Sequence, residues 1–136
     1  MTAPSPQRTV LLVEDNADNR DIYEVYLTHV GFLVLVAHDA ESALPLCLER
    51  LPDVVLMDVT LPGMDGYDAT RALKADARTA GIPVVALTAH AGDEARLRAM
   101  AAGCDHYLSK PLDPRALAAE VTALLARGVS PERQAR

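Results

Sequence analysis

Two adjacent carboxylates, Glu14 and Asp15, follow the apolar run Val10-Leu11-Leu12-Val13, and a third, Asp58, follows Val54-Val55-Leu56-Met57. A hydroxyl, Thr88, closes Val84-Val85-Ala86-Leu87, and a lysine, Lys110, follows Tyr107-Leu108-Ser109. Acids gathered at the ends of buried segments repel one another unless a cation lies among them. A hard divalent ion with oxygen ligands, Mg²⁺ in a cell, meets that need and leaves room for a phosphoryl oxygen. An Asp carboxylate is a competent nucleophile toward phosphorus. Lys110 would neutralise a transferring phosphoryl group, and the Thr88 hydroxyl would donate to one of its oxygens. The set points to metal-assisted phosphoryl acceptance, in which the protein mainly positions groups and balances charge.

Taken singly, each residue has a structural alternative. Glu14-Asp15 could complement a helix N-terminus, and Asp58 could cap a loop. Thr88 and Lys110 could be an ordinary strand-end residue and a solvated surface residue. Their common place at segment ends, in this order, sets them apart from that background.

The segments that must position them read as an alternation of strands and helices. Strand signals cover residues 9–13, 33–37, 54–57, 84–87 and 105–109. Most are continuous apolar runs, the pattern of strands buried on both faces in a parallel sheet. Helical spacing covers residues 16–30, with Ile22, Tyr26 and Val30 inward and Gly31 as the stop. Asp39 is placed to cap a second helix that turns Ala43, Cys47 and Leu51 inward. A third helix spans about 67–78 with Ala69, Ala72 and Leu73 inward, and a fourth about 92–102, ended by Gly103. The fifth spans 113–126, with Pro114 in its first turn and Leu117, Val121, Leu124 and Leu125 inward. Five β/α units give an α/β, doubly wound (βα)5 flavodoxin-like fold with a five-stranded parallel sheet. Its sites lie at the carboxyl ends of the strands, which puts Glu14, Asp15, Asp58, Thr88 and Lys110 on one rim.

The 136 residues suit one domain over about 9–127, with a flexible N-terminal arm at 1–8 and a polar tail at 128–136. With 4% aromatic content, no Trp and one Phe, a base-stacking surface is not expected. The net charge of −6 and pI of about 5.1 argue against a nucleic-acid partner. No apolar run approaches a membrane span or a secretory signal, so the expectation is a cytoplasmic protein without a membrane partner. Cys47 and Cys104 lack metal or disulfide spacing and read as small buried residues. Asp15-Asn16-Ala17-Asp18-Asn19 misses the spacing of a calcium loop, and His29, His38, His90 and His106 form no ligand pattern.

Val13-Glu14-Asp15-Asn16, Leu56-Met57-Asp58, Leu61-Pro62-Gly63-Met64-Asp65-Gly66, Leu87-Thr88-Ala89 and Tyr107-Leu108-Ser109-Lys110-Pro111 resemble the signature segments of response-regulator receiver domains. The resemblance covers roughly residues 9–126. It implies a stand-alone, single-domain response regulator of a two-component or phosphorelay system, similar to those of the chemotaxis and cell-cycle type. A receiver excised from a larger regulator or hybrid kinase is the alternative. In the implied scheme Asp58 is the phosphoacceptor, served by a histidine kinase or histidine phosphotransfer protein. Asp15, Asp58 and the backbone carbonyl of Thr60 ligate Mg²⁺, and Glu14 holds it through water. Lys110 pairs with the phosphoryl group, and the Lys110-Pro111 bond is one that can be cis, as X-Pro bonds can. Thr88 and Tyr107 act as the switch, so that the fourth helix, fifth strand and fifth helix present an altered face to a downstream protein. Thr60, Ala89 and His90 fall where the family tunes phosphoryl lifetime. The implied protein is a monomer or weak dimer and not an enzyme, catalysing only its own phosphorylation and dephosphorylation.

Two other classes fit less well. A phosphatase with Asp58 as nucleophile needs a second Asp two residues on, where Thr60 stands. A flavin or nucleotide binder needs a Ser/Thr/Gly-rich phosphate loop where Glu14-Asp15 would repel the ligand.

Overall fold

The computed structural model describes residues 7–60, 63–89 and 92–127. Its elements are β1 (Thr9–Val13), α1 (Ala17–His29), β2 (Leu33–Ala37), α2 (Ala40–Arg50), β3 (Val54–Asp58), α3 (Gly66–Ala75), β4 (Val84–Thr88), α4 (Asp93–Ala102), β5 (His106–Ser109) and α5 (Pro114–Arg127). The strands pair in parallel in the order β2-β1-β3-β4-β5. This is the expected (βα)5 flavodoxin-like fold. The order reverses between β1 and β3, and the carboxyl ends of those two strands flank the crevice that such a reversal opens.

Successive strand residues point to opposite faces, so each central strand feeds two cores. Leu11, Val13, Val55, Met57, Val84 and Ala86 pack under α2, α3 and α4. Val10, Leu12, Val54, Leu56, Val85 and Leu87 pack under α1 and α5. This explains why β1, β3 and β4 are continuous apolar runs. The outer strands differ: β5 is half-buried throughout, and β2 leaves Leu33 and Val36 exposed.

The helix starts follow capping chemistry. Asn16, Asp39 and Asp65 each accept, through a side-chain oxygen, the amide of the residue three places on. α5 turns Leu117, Val121, Leu124 and Leu125 inward as expected, each contributing about 1.5–3 kcal/mol of burial. Three other helix faces differ from expectation. α1 buries Tyr23 and Leu27, while Ile22 and Val30 are about half exposed and Tyr26 is half-buried. The inward stripe lies one residue further along the chain than the expected one, which turns Tyr23 and Leu27 toward the sheet. Leu51 is not inward but sits at the end of α2 in the left-handed region (φ 46°), largely exposed. Ala72 is exposed, and the inward face of α3 is Tyr67, Ala69, Thr70 and Leu73.

α3 also ends at Ala75 rather than near 78. There Asp76 takes extended backbone and its carboxylate accepts the Arg78 amide and guanidinium, while Thr79 donates back to the Leu73 carbonyl. Cys47 and Cys104 are buried as expected, and burial pushes both thiols up to about 11. The expected arm and tail lie outside the described residues except for Gln7, Arg8 and Arg127.

One buried ion pair ties α3 to the strand edge. Lys74 Nζ donates to the carbonyls of Ala80 and Ile82 and to Asp105 Oδ2, at 2.7–3.2 Å. That same Asp105 oxygen accepts the Val84 amide at 2.9 Å, so the pair fixes the starts of β4 and β5 together. Lys74→Met removes the cation from a buried carboxylate. It is expected to lower stability by about 3–5 kcal/mol, read as the midpoint of urea unfolding.

Gly66, the first residue of α3, lies against the end of β3. A Cβ there would stand 2.7 Å from Val59 Cα and press on the Asp58 carbonyl oxygen. Gly66→Ala must push backbone against backbone, and a cost of about 1–3 kcal/mol is expected in the same measurement.

Candidate functional site

β1 and β3 are hydrogen-bonded neighbours, with Val13 opposite Met57. The residues that follow them in the chain therefore emerge side by side. Glu14 is fully buried, Asp58 is nearly so, and Asp15 is exposed at the mouth of the cleft. One carboxylate oxygen from each of the three lies within 4.8 Å of the others. Sequence spacing alone brought Glu14 and Asp15 together; the sheet register adds Asp58.

Lys110 is delivered from the end of β5, two strands away from Asp58. Its ammonium donates to Glu14 Oε1 at 2.8 Å and to Asp58 Oδ2 at 3.0 Å. The remaining oxygens are also held. Glu14 Oε2 accepts the Asn16 amide at 3.2 Å, and Asp58 Oδ1 accepts the Thr60 amide at 2.9 Å. Asp58 thus forms a local loop bond as well as meeting the cation, so the capping role that it could have had alone is filled at the same time.

The electrostatics follow from this packing. Burial raises the Glu14 pKa first, and the neighbouring Asp58 carboxylate raises it further, against the opposing pull of Lys110. Burial by itself would depress Lys110, yet its bonds to Glu14 and Asp58 carry its pKa above the ordinary lysine value. The two carboxylates thus hold the Lys110 ammonium in its charged form.

Backbone bonds lock the rim. Glu14 N donates to Ala37 O, Val59 N to Leu87 O, and Lys110 N to Thr88 O, at 3.0, 3.0 and 2.6 Å. Each site residue is thus tied to the neighbouring strand's end. The Lys110-Pro111 peptide is cis. Lys110 and Pro111 also line a cavity of about 440 Å³, together with Asn19, Ile22, Tyr23 and Ala89. Ala89 leaves that side open, since it presents only a methyl group.

Not every residue expected at the site joins the carboxylates. Thr88 is buried, 1% exposed, and its side chain lies beside the Tyr67 phenol. Tyr107 packs half-buried in the core beneath α3 and α4. Thr88 stands opposite Ser109 and Ala86 opposite Tyr107, so Thr88 and Tyr107 face the same side of the sheet. His90 lies outside the described residues.

Several supporting residues escaped the sequence reading. Arg20 donates to the Glu14 carbonyl at 2.9 Å, and its place one turn beyond the Asn16 cap was the available signal. Glu41 Oε1 accepts the Met64 amide at 2.9 Å and so clasps the loop after Asp58. An acid in the first turn of α2, beside the crevice, hinted at it. Tyr67 read only as the start of a helix, yet its ring lies 4.9 Å beneath the Arg98 guanidinium.

The donor set fits Mg²⁺. Hard carboxylate oxygens converge on one point, one of them solvent-facing, and the formal charge is that of three acids against one lysine. A divalent cation cancels the balance.

A family model for the response regulator receiver domain matches residues 10–122. The chain is 36% identical over 120 residues to the phosphate regulon transcriptional regulatory protein PhoB of Pseudomonas aeruginosa, covering 88% of this chain and 52% of that relative. It spans about half the length of the first curated relatives that it matches. Among solved structures, the receiver domain of a Pseudomonas aeruginosa sensor histidine kinase, with a magnesium ion coordinated in its active-site cleft, is 35% identical at a TM-score of 0.78. That match covers 90% of this chain and 97% of the other. A chemotaxis response regulator of Vibrio cholerae superposes at a TM-score of 0.83 and is 26% identical, covering 88% and 99%. No helix among the described residues is long and apolar enough to cross a membrane.

Lys110 bonds two of the three carboxylates that could hold a metal ion. Lys110→Met is therefore expected to tighten Mg²⁺ binding by about three- to tenfold in calorimetric titration, since a positive charge leaves the cluster. Unchanged or weaker binding would contradict this electrostatic picture.

Proposed function

Because this chain belongs to the response regulator receiver family, we propose that it is a phosphoryl-accepting switch, with Asp58 as the acceptor. The donor in this reading is the phosphohistidine of a histidine kinase or phosphotransfer protein. The observation that carries it is the convergence of Glu14, Asp15 and Asp58 within 4.8 Å, with Lys110 bonded to two of them.

A carboxylate oxygen of Asp58 forms the new bond to phosphorus as the donor's N–P bond breaks, and the departing imidazole, protonated on its other ring nitrogen, keeps the electron pair and leaves neutral. Asp58 need not rotate, because its bonds to the Thr60 amide and Lys110 hold the carboxylate at the strand end. The Lys110 ammonium neutralises charge on the incoming group, and the Thr88 hydroxyl can reach an oxygen of that group from the neighbouring strand end. Asp15, Asp58 and the Thr60 carbonyl would hold Mg²⁺, with Glu14 reaching it through water. When bound, the ion supplies charge neutralisation between the acids and the phosphoryl oxygens.

The resulting acyl phosphate carries about −1.5 to −2 where the carboxylate carried −1. Lys110 and Thr88 then gain a new partner, which favours one of two pre-existing states. A free-energy bias of about 1.4 kcal/mol changes their ratio tenfold. Thr88 and Tyr107 are the residues that read the change, and α4, β5 and α5 form the face that a downstream protein meets. Thr60, Ala89 and His90, by their places in the sequence, set how long the phosphoryl group survives. The chemistry is confined to the chain's own side chain, so the protein is a signalling element, not an enzyme acting on a separate substrate.

Incubation with Mg²⁺ and acetyl phosphate is expected to add the mass of one phosphoryl group to the wild type and none to Asp58→Asn. Chelation of the metal should slow uptake by about tenfold or more. Equal uptake by Asp58→Asn would sink the assignment.

A further inference from the structure

The loop that leaves β3 carries Thr60, whose carbonyl would ligate Mg²⁺, and it is held at more than one point. The Thr60 amide donates to Asp58 Oδ1 at 2.9 Å, and the Gly66 amide donates to the Val59 carbonyl at 3.3 Å. Both bonds are internal to the loop and the elements it joins. A further bond comes from a different element. Glu41, in the first turn of α2, accepts the Met64 amide through Oε1 at 2.9 Å. The same oxygen would stand 2.9 Å from a Cβ on Gly63, whose φ is 73°. A residue without a side chain is what lets the carboxylate lie this close to the loop. The Met64 side chain packs half-buried against the core beneath α2, α3 and α4, which gives the loop a second hold at the same residue. On the other side of the bond, Asp39 caps α2 by accepting the Ser42 amide and so fixes the turn from which Glu41 reaches out.

The strand order β2-β1-β3 sets what this bond spans. α2 starts beyond the end of β2 and the loop starts at the end of β3. Glu41 therefore reaches across the end of β1, from which Glu14 and Asp15 emerge. A loop released at Met64 would sample positions in which the Thr60 carbonyl points away from the carboxylates, and metal binding would have to order it. Resting on the reading of Asp15, Asp58 and the Thr60 carbonyl as the Mg²⁺ ligands, we propose that Glu41 is a positioning residue that preorganises the metal site by clasping the β3–α3 loop.

Glu41 has an ordinary alternative, because an acid in the first turn complements the helix dipole. That role needs the negative charge and no contact with Met64. The clasp needs an oxygen at the end of a side chain of this length, and the charge is secondary. The two roles therefore separate when the charge is removed and the oxygen is kept.

The test compares Mg²⁺ affinity by calorimetric titration in the wild type, Glu41→Ala and Glu41→Gln. Glu41→Ala removes the acceptor and is expected to weaken Mg²⁺ binding by about three- to tenfold, the factor for one net hydrogen bond. Glu41→Gln keeps an acceptor oxygen on the same stem and should restore the affinity to within about twofold of the wild type. The Met64 amide should exchange with deuterium faster in Glu41→Ala and at about the wild-type rate in Glu41→Gln. Loss of the dipole interaction alone would lower the melting temperature of both variants alike, without this difference in metal affinity. Unchanged Mg²⁺ affinity in Glu41→Ala would overturn the proposal. So would an equal loss in Glu41→Gln, which would assign the effect to charge. Failure of the wild type to bind Mg²⁺ would instead overturn the metal-site reading, and this inference with it.

Discussion

Three carboxylates at the ends of neighbouring strands form a site that like-charge repulsion opposes, and the ammonium of Lys110 is what makes it tolerable. Glu14 and Asp58 are both buried, so water does little to screen their charges from one another. Lys110 bonds to both at 2.8 and 3.0 Å. Removing any one member leaves the others charged in a low-dielectric place, where the penalty is several kcal/mol. The cluster is therefore an expensive feature, kept in an otherwise aliphatic core. Such an expense is reasonable where a second cation and an anionic group are to be exchanged in and out.

That constraint explains the care with which the backbone holds the rim. Glu14, Val59 and Lys110 each donate an amide to the carbonyl of the adjoining strand's last or near-last residue. These bonds extend the ladder one residue past the apolar run. Gly66 adds a contact without a side chain, letting α3 begin directly against the Asp58 backbone. On the other side, Glu41 clasps the loop after β3 through the Met64 amide. Asp58 is therefore fixed by its strand, its loop and the helix that follows. Positional error at the nucleophile is kept small by covalent and hydrogen-bonded neighbours rather than by the ligand.

The fold and the central residues of the site were legible because two simple signals coincide. A buried parallel strand must be apolar throughout, and a polar residue that follows it at once must lie at the strand's carboxyl end. Glu14, Asp58, Thr88 and Lys110 all carry that signature. Helix faces were less legible. Ile22, Tyr26 and Val30 satisfy helical spacing as well as Tyr23 and Leu27 do, so spacing alone does not decide which set meets the sheet. Leu51 and Ala72 continued an apolar stripe past the point where the helix or the core stopped. The long-range contacts left no local signal. Arg98 meets Tyr67, and Lys74 meets Asp105, across about thirty residues of chain, and no local pattern encodes such a meeting.

The side of the sheet beneath α3 and α4 differs in kind from the side beneath α1 and α5. The second is filled mainly by Leu and Val, with Tyr23 and Phe32. The first holds two tyrosines, two cysteines and many alanines. Alanine-rich packing fixes backbones closely but gives few interlocking side chains, so helices there slide at lower cost than they would over leucine. α4 contributes only Ala95, Ala99 and Ala102 to the interior. Its hold on the body of the protein then depends heavily on directed contacts such as Arg98 on Tyr67. A smooth inner face combined with a few directional contacts is what a surface needs if it is to take two positions. The charge change occurs at one rim of the sheet, and α4 is the element least committed to staying where it is.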